Sequence, residues 1–367
     1  MKFWFGQKSA RAAARPALHR AHVGAAPGEW PRGYEAQVRD AYLSNPVAQR
    51  AVRLVAESVA WAPVYAPGGT AAAAKAAALA APALLDSAAA HLLLHGNAFL
   101  QIVADSEGVP AELFALRPER VTIEADPGGW PAAYAYRAGE VKSRIPALDP
   151  LGRPGLVHVR SMHPLDDHYG LGCLGAAAGA VAIHNAATRW NKALLDNAAR
   201  PSGALTLGDG EEGLARDQYE RLSEELERFY AGAANAGRPL LLEGGLKWQA
   251  MSLTPTDMDF VALKAAAARD IALAFGVPPM LLGLPGDSTY ANYREANRAL
   301  WRLTVLPLAD RLLGAIAAAL GAWWPGLSLK LDLDQVTALA EDRERLWSQV
   351  SAADFLTREE KREMLGF

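Results

Sequence analysis

Apolar and polar positions recur at two periods along this chain, and the switches between them mark its elements. After Asn45-Pro46, apolar residues at Val47, Ala51, Leu54, Val55 and Val59 form the stripe of a helix. Asparagine caps a helix start and proline suits its first turn, so the helix begins there. Trp61, Val64 and Tyr65 read as a following strand. Residues 71–90 are alanine-rich and read as helix broken at Pro82, continuing from His91 to a stop at Gly96. Short runs then replace the helical period. Residues 99–104, 111–116, 121–124, 133–137 and 156–160 are strand candidates separated by Gly, Pro and Asp. Residues 1–33 hold no sustained period and read as a flexible N-terminal arm.

The second half returns to helices. Over residues 174–199, Ile183, Ala187, Trp190 and Leu194 make one apolar face, and the first half of the segment is nearly all small residues. A charged helix is predicted over 212–230, then a hairpin turning at Gly244-Gly245. A helix ending at Gly276 meets Val277-Pro278-Pro279, because proline lacks the N–H and restricts the residue before it. A small polar loop follows, and a long helix runs from Tyr290 to Leu320 with Ser288 or Thr289 as N-cap. Pro307, inside that helix, predicts either a boundary between two helices or a bend in one. Leu327, Leu329, Leu331 and Leu333 alternate with Ser328, Lys330 and Asp332, the pattern of a half-buried strand. Two short charged helices close the chain over residues 335–367. The fold class is α+β, a mainly helical core with small sheets.

The chain has 367 residues, room for two or three domains, and 51% of them are apolar. Its net charge of −3 argues against a protein that grips nucleic acid tightly, though not against a conduit through which DNA slides. Cys173 is the lone cysteine, which excludes internal disulfides and thiolate zinc sites and fits a reducing compartment. No signal-peptide pattern is read at the N-terminus, where Arg11, Arg15 and Arg20 interrupt. The apolar run 312–324 is shorter than a membrane span and predicts a buried helix. A membrane-associated helical protein, resting on that run and the alanine tracts, is one alternative.

Gly170, Gly172 and Gly175 match G-x-G-x-x-G and open a helix, so an NAD(P)-binding enzyme is the other alternative. That fingerprint needs a strand directly before it, whereas the nearest strand candidate ends near Arg160. His158, His163 and His168 with Asp166 and Asp167 match no standard metal-ligand spacing, and His91 and His95 lack the Glu of H-E-x-x-H. Residues 286–290 begin like a nucleophile elbow and fail at the last position. No P-loop sequence occurs. No cofactor, metal or catalytic group is expected, and the chain reads as non-enzymatic. The loop between two helices, by contrast, can present a short polar tip into a space.

Taken in order, NPVAQRAVRLVAESVAWAPVYA, LLLHGNAFLQIV, ELFALRPERV, HVRSMHPLDDHYGLGCLGAA, ARPSGALTL, the run from Arg238 to Gly283 and TYANYREANRALWRLTVLPLADRL resemble the portal proteins of HK97-type tailed phages. The composition also resembles the portal of a gene transfer agent. The resemblance implies a ring of about twelve subunits at one capsid vertex. It implies a channel for DNA packaging and ejection, docking the terminase large subunit and a head–tail adaptor, beside the major capsid protein and without a membrane. It implies a wing over 34–172 with the strand 327–333, stem helices over 173–199 and 257–276, and a clip over 200–256. A tunnel loop over 277–290, a long kinked helix over 291–326 and a short crown over 335–367 complete the set. Leu284, Pro285, Asp287, Ser288, Thr289, Tyr290, Lys264 and Arg269 would face the channel and its DNA. Arg216, Glu220, Arg238, Glu243 and Lys247 would serve docking at the clip, and Ala176, Ala180, Ile183 and Ala187 would pack subunits in the stem.

Overall fold

The computed structural model describes residues 17–18, 33–196, 203–207, 216–230, 246–250, 260–284 and 289–365. Helix α1 (Tyr34–Val38) runs directly into a π-helical turn, Arg39–Leu43. Tyr34, Val38 and Tyr42, four residues apart, lay this segment on the main core. The sequence reading started the first helix only at Asn45, because Ser44-Asn45 interrupts the period there. Helix α2 (Pro46–Trp61) does begin as predicted, with Asn45 Oδ1 accepting from the N–H groups of Val47 and Ala48 at 3.0 Å. Strand β1 (Val64–Tyr65), helix α3 (Ala71–Leu79) and helix α4 (Pro82–His95) follow, and Gly96 ends α4 in the left-handed region at φ 82°.

Strands β2 (Asn97–Ala104), β3 (Pro110–Leu116) and β7 (Leu156–Arg160) form an antiparallel sheet in the order β3-β2-β7. Strands β4 (Val121–Ala125), β5 (Pro131–Ala138) and β6 (Val141–Pro146) form a second. The central strand β2 is buried on both faces, which is why its sequence runs apolar without alternation. Ala98, Leu100 and Ile102 join the main helical core, while Phe99 joins a smaller core with Leu116, Val121, Ile123, Tyr134, Ile145 and Leu156. Strand β6 escaped the sequence reading because it is an edge strand with Ile145 as its one buried residue.

Helix α5 (Leu174–Asp196) packs along α7 (Phe260–Ala274). Between them in sequence lie β8 (Gly203–Leu207), α6 (Arg216–Tyr230) and β9 (Leu246–Ala250), and β8 pairs antiparallel with β9. The Gly244-Gly245 turn and the first arm of the expected hairpin lie outside the described residues, as does the expected arm apart from residues 17, 18 and 33.

Residues 290–320 form one helix, not two, composed of α8 (Tyr290–Leu300), a π-helical turn Trp301–Val305 and α9 (Leu306–Leu320). Pro307 has no N–H to give the carbonyl four residues back, and the wider π turn just before it absorbs the misfit. The helix is long and apolar enough to cross a membrane by length and composition. Its apolar stripe, Leu300, Val305, Leu312, Ile316 and Leu320, is instead buried in the main core.

The strand expected over 327–333 shortens to β10 (Lys330–Leu331), because its partner β1 is only two residues long. Asp332 then donates its N–H to Pro63 and caps a 3-10 turn over Leu333–Gln335. Leu329 and Leu331 are buried as the alternation requires. Helices α10 (Ala340–Ala352) and α11 (Arg358–Leu365) end the described chain.

Candidate channel and assembly surfaces

The junction between the end of α4 and the segment leading into α5 is built on close backbone contact. A Cβ on Gly172 would lie 2.4 Å from the Leu94 carbonyl oxygen, one on Gly170 2.1 Å from that of Gly96, and one on Gly96 2.4 Å from the Leu171 carbonyl carbon. Buried Asn97 clasps the crossing. Its Oδ1 accepts from Gly170 N–H at 2.8 Å and from His158 Nε2 at 3.0 Å, while Nδ2 donates to the Gly170 carbonyl at 3.2 Å and to His95 Nδ1 at 3.0 Å. The first two glycines of G-x-G-x-x-G, Gly170 and Gly172, are therefore filled by another backbone, which leaves no room there for a pyrophosphate, and the dinucleotide alternative fails on that geometry.

The histidines are committed in the same way. His158 stacks on Phe99 at 4.3 Å, and His168 donates Nε2–H to the Gly129 carbonyl at 2.5 Å. Burial holds His158 down to about 3, and His91 and His95 down to about 4, so all three stay neutral.

A second polar clasp joins α2 to α5. Asn45 Nδ2 donates to His184 Nδ1 at 3.1 Å and to Asn185 Oδ1 at 2.9 Å, and Asn185 in turn donates to the Asp40 carbonyl at 2.9 Å. Desolvation and the nearby charge of Lys264 lower the His184 pKa. The sequence showed Asn45 as a cap but gave no sign that its amide also reaches 139 residues along the chain.

On α5, Ala176 and Ile183 are exposed, and Trp190 continues their line at the same seven-residue interval. Ala180 is half-buried against the main core. Ala187, placed by the sequence reading among the subunit-packing residues, is 3% exposed and therefore already covered within the protomer, which corrects that assignment. On α7, Arg269 is exposed. Lys264 is half-buried, near enough to His184 of α5 for its charge to lower that pKa.

The loop after α7 is firmly based. Gly276 adopts φ 66°, and its carbonyl accepts from Thr304 Oγ1 at 2.7 Å, tying the end of α7 to the π turn. Part of the segment expected as open loop, Pro279–Leu282, is a 3-10 turn whose Leu281 and Leu282 pack on the main core. Leu284 is half-buried, and Pro285, Asp287 and Ser288 lie outside the described residues. Thr289 is the N-cap of α8, accepting from Asn292 N–H at 3.2 Å. Tyr290 is exposed, with the Arg294 guanidinium 5.9 Å from its ring centre.

On α6, exposed Arg216 and Glu220 pair with each other at 3.1 Å. Lys247 stands on β9 in register with Thr206. Arg238 and Glu243 lie outside the described residues.

Apart from α1 and the π-helical turn that follows it, the described helices, sheets and loop base fall within residues 46–366, the span that matches the profile of the phage portal protein family. The chain belongs to that family. Its portal fold is shared with a subunit of the neck of a native gene transfer agent particle, solved with C12 symmetry. The two are 47% identical over 94% of this chain and 96% of that one, with a TM-score of 0.68. An HK97-family phage portal protein from Corynebacterium diphtheriae superposes with a TM-score of 0.58 at 18% identity, covering 84% of this portal and 98% of that chain. The portal protein of Enterobacteria phage HK97 is 24% identical over 227 residues, 60% of this chain and 50% of that protein. Its fold is that of an HK97-family portal. Among the described residues, its most extensive charged contact had no sequence signature: Arg294, Arg298 and Arg302, four apart along the long helix, meet Glu341 and Asp342 of α10.

Proposed function

We propose that this portal assembles as a ring of about twelve copies at one vertex of a phage-like particle of the gene-transfer-agent kind. The observation that carries this reading is the 47% identity, over nearly the whole of both chains, to a subunit of a particle neck with C12 symmetry. The ring is the channel for packaging and release of double-stranded DNA. It joins the head to the tail by docking the terminase large subunit and then an adaptor, beside the major capsid protein. Its role is structural, and the driving force for packaging comes from a separate motor, in keeping with a sequence that lacks a P-loop.

Within the ring, residues 34–172 with 327–333 form the wing, 173–199 and 257–276 the stem, and 200–256 the clip. Residues 277–290 form the tunnel loop, 291–326 the helix that leads outward, and 335–367 a short crown. Support for the stem comes from α5 and α7 packed on each other, with Ala176 and Ile183 on the open face. Support for the tunnel loop comes from its base, where Thr304 and the Thr289 cap hold both ends. A net charge of −3 per subunit favours weak sliding contacts with DNA.

Negative-stain electron microscopy of the purified protein at high concentration tests the assembly. Rings with a central hole and roughly twelvefold symmetry are expected. A compact dimer or tetramer of fixed mass would count against the reading.

A further inference from the structure

Helices α10 and α11 are joined by a short turn whose Phe355 is 86% exposed. The turn is held in one shape. Thr357 Oγ1 accepts from Glu360 N–H at 3.2 Å, and Glu360 Oε2 accepts from Thr357 N–H at 2.7 Å, a reciprocal capping box that starts α11. A large aromatic ring is thus presented to solvent on a rigid support, flanked by exposed Asp354 and Arg358.

Elsewhere on the same molecule a cavity of about 480 Å³ opens between α9, β10 and the far end of α11. Its apolar lining includes Leu306, Leu331, Leu333 and Leu365, and Lys330 and Asp310 also line it. The volume lies in the range that accommodates a small ligand or an inserted side chain. Lys330, Asp310, Asp354 and Arg358 make no side-chain hydrogen bond or ion pair among the described residues of the protomer. The other charged groups of the cavity wall are engaged within the protomer, Asp334 with Arg343 and Asp332 as acceptor from Asp334 N–H and Gln335 Nε2, so Lys330 and Asp310 are left to match Asp354 and Arg358 of the tip in reversed sign. Burial also raises the Asp310 pKa, the environment in which a carboxylate gains most from an added cation.

The protomer's own Phe355 cannot fill its own cavity. The two are separated by the length of α11, whose eight residues span about 12 Å, and Met364 and Leu365 at its other end form part of the cavity wall. A tip at one place and a socket at another make a head-to-tail contact between copies, the type that closes into a ring.

We propose that Phe355 of one subunit inserts into the cavity between α9, β10 and α11 of the next, with Arg358 meeting Asp310 and Asp354 meeting Lys330. The partner is a second copy of this chain, and the inference rests on the ring reading above.

The test is the concentration at which full-length protein assembles, measured by mass photometry and sedimentation velocity. Phe355→Ala should raise that concentration roughly tenfold or more, the effect of losing a buried aromatic ring at each contact. Because Phe355 is exposed in the protomer, its thermal melting monitored by circular dichroism should not change. Asp310→Arg should weaken assembly, and adding Arg358→Asp in the same chain should restore it. A wild-type protein that forms rings while Phe355→Ala forms them at the same concentration overturns this contact and leaves the ring reading standing. Failure of the double variant to recover where Asp310→Arg alone is defective overturns the ion pairing. A wild-type protein that forms a closed dimer overturns the ring reading and this inference together.

Discussion

Single residues decide the junction at Gly96 and Asn97. Alanine at Gly172 would put a methyl group 2.4 Å from a backbone oxygen, so backbone must move. Gly172→Ala should cost about 2–4 kcal/mol in urea unfolding, as backbone clashes in packed regions do. Gly175, five residues from Gly170 in the same motif, faces open space, and Gly175→Ala should be neutral or mildly stabilising. Equal effects at the two positions would contradict the packing account of the motif. The histidines give a second prediction. His158, His91 and His95 have folded pKa values of about 3, 4 and 4, below the ordinary 6.5. The unfolded chain therefore binds more protons as pH falls below 6.5, and stability drops with falling pH. The full contribution is present above 6.5. Between pH 7 and 5 the loss should reach a few kcal/mol in total, on the order of 1.4 kcal/mol per histidine per pH unit once below 6.5. Chemical denaturation at the two pH values measures it, and a flat profile would show that these rings are open to water. Neither feature could be read from the sequence. The glycines were visible as a motif, but the motif does not say whether a ligand or another strand of backbone approaches them.

Elements were legible where one period ran long enough to exceed the noise of neighbouring residues. Helix α2 announced itself through Asn45-Pro46 and its stripe, and α4 through Gly96. Segments that use few buried residues were not legible. Strand β6 buries Ile145 alone, and the Tyr34–Leu43 segment spreads its core residues Tyr34, Val38, Ala41 and Tyr42 across a change from α to π geometry. The leucine alternation over 327–333 correctly gave the buried face of β10, yet strand length depends on the partner, and β1 offers only two residues. The arginines of the long helix belong at this scale too. Arg294 lies 2.5 Å from Glu341, Arg298 2.7 Å from Glu341, and Arg298 Nε faces Asp342 at 3.5 Å. The one residue of α10 that is buried is Val350. Contacts of this kind weaken as salt screens them. Raising the salt from 0.05 to about 1 M should therefore speed amide hydrogen exchange in residues 340–352 while leaving α2 and α9 unchanged. Uniform protection across that range would mean that apolar contacts at Val336 and Leu339 alone hold the helix in place.

At the scale of the whole molecule, the proposed ring gives the segment between α7 and α8 two functions that can be separated. Its ends are structural: Thr304 holds the carbonyl of Gly276, Leu281 and Leu282 pack on the core, and Thr289 caps α8. Its tip, Asp287-Ser288, is the part that meets DNA in the proposed ring. Deleting Thr289 along with the tip would remove the cap, at a cost of about 1 kcal/mol, and confuse the two functions. Deleting Asp287 and Ser288 alone should leave thermal stability and ring formation unchanged in purified protein. In particles carrying the deletion, the amount of DNase-protected DNA per particle should fall, because the channel loses the surface that meets the duplex. The two measurements separate the possibilities. Loss of rings would assign the tip to subunit contact, whereas intact rings with full DNA content would remove it from the DNA path and shift the contact to exposed groups such as Arg269 of α7 or Tyr290 at the start of α8.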